Sequence, residues 1–230
     1  MGANQQLIMS YKVASGSNTF TLAQAGPAST TGVGTTIAST FGSSTPVGNL
    51  VYVVITQTYG GNNPKTITNV RDNIDGAVDY TLLHETNNAG NLYVHIYGRV
   101  VSTAGTRTVT CTFSGTADAT IAINEWSATS GFTFGGVSGT DKSAATGTGT
   151  SVQAGSITPS TNGLYIMGAV WSNGTGTSMT PTGGWNARQE RESGSSSLIE
   201  VQDLATTGAQ NPAMTLGSSQ AWAAVIVAYT

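Results

Sequence analysis

Residues 50–56 read Leu-Val-Tyr-Val-Val-Ile-Thr, and residues 106–113 read Thr-Arg-Thr-Val-Thr-Cys-Thr-Phe. The second stretch alternates. Val109, Cys111 and Phe113 fall on one face and Thr108, Thr110 and Thr112 on the other, the period of a strand with one buried side. The first does not alternate. A short run that is apolar at every position is a central strand covered on both faces. Leu164–Val170 and Ala221–Tyr229 read the same way.

Outward from these runs, the chain is a series of short Thr-, Val-, Ile- and Tyr-rich segments separated by Gly, Asn and Ser, the pattern of strands and turns. The expected strands are 50–56, 66–71, 80–86, 91–101, 106–113 and 120–126, then 152–157, 163–171, 185–192, 196–204 and 221–229. Turn signals separate them at Asp75-Gly76, at 88–90 and at 172–174. No segment holds a 3.6-residue apolar period, and Gly recurs too often for long helices.

The two series resemble each other. Val47-Gly-Asn-Leu50 matches Thr161-Asn-Gly-Leu164 in opening an apolar strand, and Ser102-Thr-Ala-Gly105 matches Ala205-Thr-Thr-Gly208. Each series ends in a strand containing Trp and Ala, at 121–126 and 222–229. The expectation is an all-β fold, a jelly-roll-like β-sandwich built from two similar five-strand halves, 46–126 and 150–230. A Gly/Thr/Ser-rich link at 127–150 would carry one short strand near Phe132–Val137. Residues 1–45 form either an extended arm laid on the 46–230 sandwich or additional edge strands.

Composition excludes several classes. Of 230 residues only 8% are charged, where about 25% is typical of soluble domains. The 38% hydrophobic fraction removes a disordered polyelectrolyte. A net charge of −3 with 8 Lys and Arg offers no basic face for nucleic acid. The lone cysteine, Cys111, excludes an intrachain disulfide and reads as a buried core filler. The N-terminal residues lack the basic and apolar regions of a secretory signal, and Gln6 spoils a myristoylation match. No stretch reaches the roughly 18 apolar residues of a membrane helix. Neither nucleic acid nor membrane is therefore an expected partner.

His84 and His95 are the only histidines. Either could act as a base oriented by Glu85 or Asp79, but no nucleophile motif accompanies them, and their spacing matches no zinc pattern. Asp72, Asp75 and Asp79 could hold calcium, although Arg71 stands where an EF-hand loop needs its first ligand and Asp-Gly is explained by turn chemistry. No cofactor and no metal are expected. The triplet at 173–175 fits a glycosylation acceptor but reads as a turn.

Along Leu92-Tyr-Val-His-Ile-Tyr97, Tyr93, His95 and Tyr97 share one face. That stripe either stacks on sugar rings or a protein partner, or lies under the N-terminal segment or loops. In that segment Phe20, Leu22, Ile37 and Phe41 stand as spaced apolar anchors among small residues, suited to a partner-binding arm.

The order Gly48-Asn-Leu-Val-Tyr-Val-Val, Ile67-Thr-Asn-Val-Arg-Asp72, Thr103-Ala-Gly-Thr-Arg-Thr-Val-Thr-Cys-Thr-Phe113 and Ile121-Ala-Ile-Asn-Glu-Trp126 is similar to Thr/Gly-rich β-sandwich segments of bacterial surface proteins and tailed-phage structural proteins. Standing alone with a Thr/Ser-rich arm, the chain looks most like a capsid decoration (cement) protein. The resemblance implies a virion structural protein on the outer capsid surface, assembled in the host cytoplasm, not an enzyme. Its partners would be the major capsid protein and copies of itself, with a trimer as the closed form at three-fold positions. The alternative is a carbohydrate-binding or host-attachment module of a tail fibre or cell-surface protein, with a glycan as ligand. A hydrolase is disfavoured.

Overall fold

The computed structural model describes residues 18–27, 30–58, 62–76, 78–89, 91–172, 179–181, 184–191 and 199–230. Strands make up most of the described chain, in two antiparallel sheets. The first holds β1 (Phe20–Ala25), β2 (Thr30–Thr45), β3 (Leu50–Thr58), β4 (Ile67–Asp72), β5 (Thr81–Asn88), β6 (Leu92–Val100) and β7 (Gly105–Ala128). The second holds β8 (Lys142–Gln153), β9 (Gly163–Trp171), β10 (Met179–Pro181), β11 (Asn186–Arg191), β12 (Ile199–Thr206) and β13 (Ala213–Tyr229).

The two sheets share one strand order. The first runs β7-β3-β6-β5, with β2 and β4 on either side of β7. The second runs β13-β9-β12-β11, with β8 and β10 on either side of β13. β1 is the one addition, continuing the β2 edge along β7. The sandwich differs from a jelly roll in its path: a jelly-roll chain passes back and forth between sheets, whereas here residues up to 128 build one sheet and residues from 142 the other. Within the expected bounds each half has five strands, β3–β7 and β9–β13, and among the described residues β1 and β2 are added ahead of the first half and β8 ahead of the second.

Long, bent strands explain the extra layers. β7 is 24 residues. Its second part pairs with β3 and β1, while its first part pairs with β2 and β4 and folds back over the outer face of its own sheet. Residues 114–118, which have turn composition, therefore continue a strand instead of ending one. β13 repeats the device over 17 residues.

Three apolar clusters follow. Between the sheets, Leu50, Tyr52 and Val54 of β3 and Val94 and Ile96 of β6 meet Leu164, Ile166 and Val170 of β9 and Val225 and Val227 of β13. Behind the first sheet, Val51, Val53 and Ile55 pack under Ile37, Phe41, Val109 and Phe113. Behind the second, Tyr165, Met167 and Trp171 pack under Val152, Ile157, Met214 and Leu216. β3 and β9 are buried at every position, because each half covers one face of its central strand itself and the other half covers the other. Each fully buried Val, Leu or Ile contributes about 1.5–3 kcal/mol.

Two sequence expectations change. Phe132–Val137 forms no strand; Phe132 and Phe134 instead pack on Tyr229 at 6.0 and 5.5 Å between ring centroids, and Thr133 exchanges two backbone hydrogen bonds with Thr230. Residues 142–150, expected as link, belong to β8, whose Thr/Gly/Ser composition resembles a linker until it pairs with β13.

Candidate functional site

The N-terminal segment is built into the sheet. Phe20, Ile37 and Phe41 are buried, Phe41 to 2% exposure, and Leu22 is half-buried against the intersheet cluster. This corrects their reading as free partner anchors: their spacing is the period-2 spacing of strands paired with β7. Residues 1–17 lie outside the described residues, as does the triplet at 173–175.

The Tyr93, His95 and Tyr97 stripe is on one face of β6, as alternation requires, with Leu92, Val94 and Ile96 buried on the other. The His95 ring sits between the two phenols, 6.0 Å from Tyr93 in a near-parallel stack and 6.4 Å from Tyr97. Tyr97 packs into the cluster beneath β2 and β7, and burial raises its phenol above the ordinary range. Tyr93 is partly exposed.

Glu85 reaches His95 through a bulge. Leu82 pairs with Tyr97 and His84 with Ile96, so the register slips at Leu83 and brings Glu85 opposite His95. Without that slip His84 would stand there. Glu85 Oε2 lies 2.7 Å from His95 Nδ1, and this bond is the main cause holding the Glu85 carboxyl below its ordinary range. His84, half-buried, is pushed down by burial first and by Lys142 second. It belongs to no site with His95.

Tyr93, His95 and Tyr97 line a cavity of about 380 Å³, together with Leu82, Glu85 and the segment 64–67. That segment is fixed by Gln57, which is fully buried. Its side chain accepts from Lys65 N at 2.7 Å and donates to Lys65 O at 3.0 Å.

The acidic loop is occupied by arginines. Arg107, completely buried, pairs with Asp72 at 2.5 Å and Asp75 at 2.8 Å, and Arg99 pairs with Asp75 at 3.1 Å. Asp72 also accepts from Ile74 N, Asp75 N and Tyr80 Oη. Arg71 pairs with Asp79 at 2.5 Å. The oxygens a calcium ion would need serve these bonds, and Arg107 brings a positive charge to the spot. This cluster pins the β4–β5 connection to the start of β7. In the sequence Arg107 belongs to no motif, and its one mark is a charge at an inward position of an alternating strand.

One further edge is distinctive. β1 and β2, of 6 and 16 residues, contain no charged residue, and among the described residues β2 pairs with β7 on one side alone. Val33 on this edge is 60% exposed. The opposite edge of the other sheet, β11, contains Arg188, Glu190 and Arg191.

Comparison of the chain with protein-family models, curated proteins and solved structures returns no match in any of the three.

Proposed function

We propose that this chain is a structural module of a virion, a capsid decoration protein that attaches by non-covalent contacts to the outer surface of the head. The observation that carries the reading is the charge-free β1–β2 edge. Exposed strand edges are usually blunted by Lys, Pro or bulges, because open N–H and C=O groups recruit other strands. Here charge is missing over both strands, and a 60%-exposed valine takes its place. Bulges near Thr35 and at 41–43 break the edge into short pairing segments. Such an edge suits a defined partner strand of a few residues better than open-ended stacking. Many such contacts, multiplied by capsid symmetry, would resist the pressure of a packaged genome. The major capsid protein and neighbouring copies of the chain are the partners in this reading.

The test is attachment to particles. Purified chain mixed with heads lacking it should co-sediment, and antibody against it should label the outside of intact virions. Val33→Lys with Thr35→Lys adds two charges at exposed edge positions and should abolish co-sedimentation while leaving the circular-dichroism spectrum unchanged. A native chain that stays in the supernatant, or a charged-edge variant that binds as well as the parent, sinks the reading.

A further inference from the structure

The cavity beside β6 has the character of a ligand site, and this holds independently of any capsid role. Its floor is His95 and Tyr97, one wall is Tyr93, and its rim is Lys65, Leu82 and Glu85. The floor is buried, whereas Glu85 and Leu82 are 53% and 42% exposed, so the site opens to solvent. Its volume of about 380 Å³ falls in the range of about 300–1,000 Å³ for small-molecule sites.

His95 gives the second, independent sign. The residue is 6% exposed, its Nδ1 is held by Glu85, and its Nε2 is buried without a hydrogen-bond partner among the described residues. Buried polar atoms are nearly always satisfied, and one that is not calls for an explanation. With Nδ1 held by the Glu85 carboxylate, Nε2 is the ring atom left for a ligand hydroxyl, which can both donate and accept.

The chemistry around it selects the ligand class. Lys65 donates, Glu85 accepts, and the Tyr93 hydroxyl does both. Opposite charges on one rim repel neither a neutral ligand nor its hydroxyls, whereas an anion would face Glu85 and a cation Lys65. Leu82 and the Tyr93 ring add apolar surface for C–H groups. A body with hydroxyls at its edges and C–H bonds on its faces is a sugar ring. The site is also pre-positioned, since buried Gln57 fixes Lys65 from one side and the Leu83 bulge fixes Glu85 from the other. We propose that this cavity binds one pyranose unit of a glycan, with Tyr93 as the stacking platform and Glu85, His95 and Lys65 as hydroxyl partners.

Saturation-transfer NMR on the full chain tests this, using the methyl glycosides of glucose, galactose, mannose and N-acetylglucosamine at about 10 mM, enough to load a millimolar site. At least one should receive saturation, and its affinity should fall about tenfold or more in Tyr93→Ala. Leu82→Glu, at an exposed rim position, should weaken the same probe and serves if Tyr93→Ala fails to fold. The proposal is overturned if none of the four glycosides binds, or if binding survives unchanged in a folded Tyr93→Ala or Leu82→Glu chain. Particle attachment measured in parallel should be the same for Leu82→Glu and the parent, which separates this site from the β1–β2 edge.

Discussion

Gly168 of β9 faces Val54 of β3 across the interface between the sheets, and a Cβ on Gly168 would lie 2.6 Å from Val54 Cγ1. The two halves approach closely here because Gly168 carries no side chain. Val94 Cγ2 stands 3.2 Å from the same point, so no free space lies to either side. Gly168→Ala should destabilise the chain by about 1–3 kcal/mol through overpacking, read by urea denaturation. Val54→Ala in the same chain should recover part of the loss, because it vacates the space the new methyl needs. Additive effects of the two substitutions would show that the sheets do not touch at this point.

The buried Arg107 cluster predicts both a large mutational effect and a pH dependence. Arg107→Met leaves Asp72 and Asp75 without their guanidinium, and breaking a buried pair on one side costs about 3–5 kcal/mol. Burial pushes the Asp72 carboxyl up, but the N–H groups of Asp75 and Ile74 and the Arg107 charge together hold it below its ordinary value. A depressed carboxyl contributes stability above its unfolded pKa and loses it as pH falls through the folded one. The contribution of Asp72 to the unfolding free energy should therefore hold between about pH 7 and 5 and decline below about pH 4. Asp72→Asn should be less stable at neutral pH, with the gap to the parent closing in acid. A gap that widens in acid would refute the assignment.

The N-terminal strands should be required for folding. Phe41 is 2% exposed beneath β7, and Phe41→Ala should cost about 3–5 kcal/mol. Deleting residues 1–40 removes β1 and most of β2 and uncovers Val109 and Cys111. The truncated chain should lose its cooperative thermal transition. A soluble, cooperatively melting product would mean the segment is dispensable, as an arm would be.

Cys111 should be inert in the native state. It is fully buried between Val109 and Phe113, and burial raises its thiol above the ordinary range. Only the thiolate reacts with disulfide reagents. Labelling by such a reagent should be negligible in buffer and complete in denaturant. Fast labelling in buffer would place the strand in the opposite register.

Much of the fold is legible in the sequence because a period of two, or its absence, is a local property. The uniform apolar runs at 50–55 and 164–170 identify β3 and β9 as strands covered on both faces, and the alternation at 106–113 fixes which side of β7 holds Cys111. The same alternation places Tyr93, His95 and Tyr97 together. No local rule, however, says which layer covers a face. Only the packing shows that Phe20, Ile37 and Phe41 are core rather than anchors, since an apolar residue every second or fourth position serves an arm and an edge strand alike.

Tertiary structure decided three further things. Residues 142–150 become part of β8 because β13 offers them a hydrogen-bonding partner, and a Thr/Gly/Ser stretch has no strand signal of its own. Residues 114–118 continue β7 because β2 and β4 flank it across the bend; without those neighbours their composition favours a turn. The Glu85–His95 pair exists because one bulge at Leu83 shifts the register by one residue. Side-chain alternation is set by the chain's own geometry and can be read from the residues in order. Register, covering layer and edge pairing depend on strands distant in sequence, so they are fixed only when the sheets assemble.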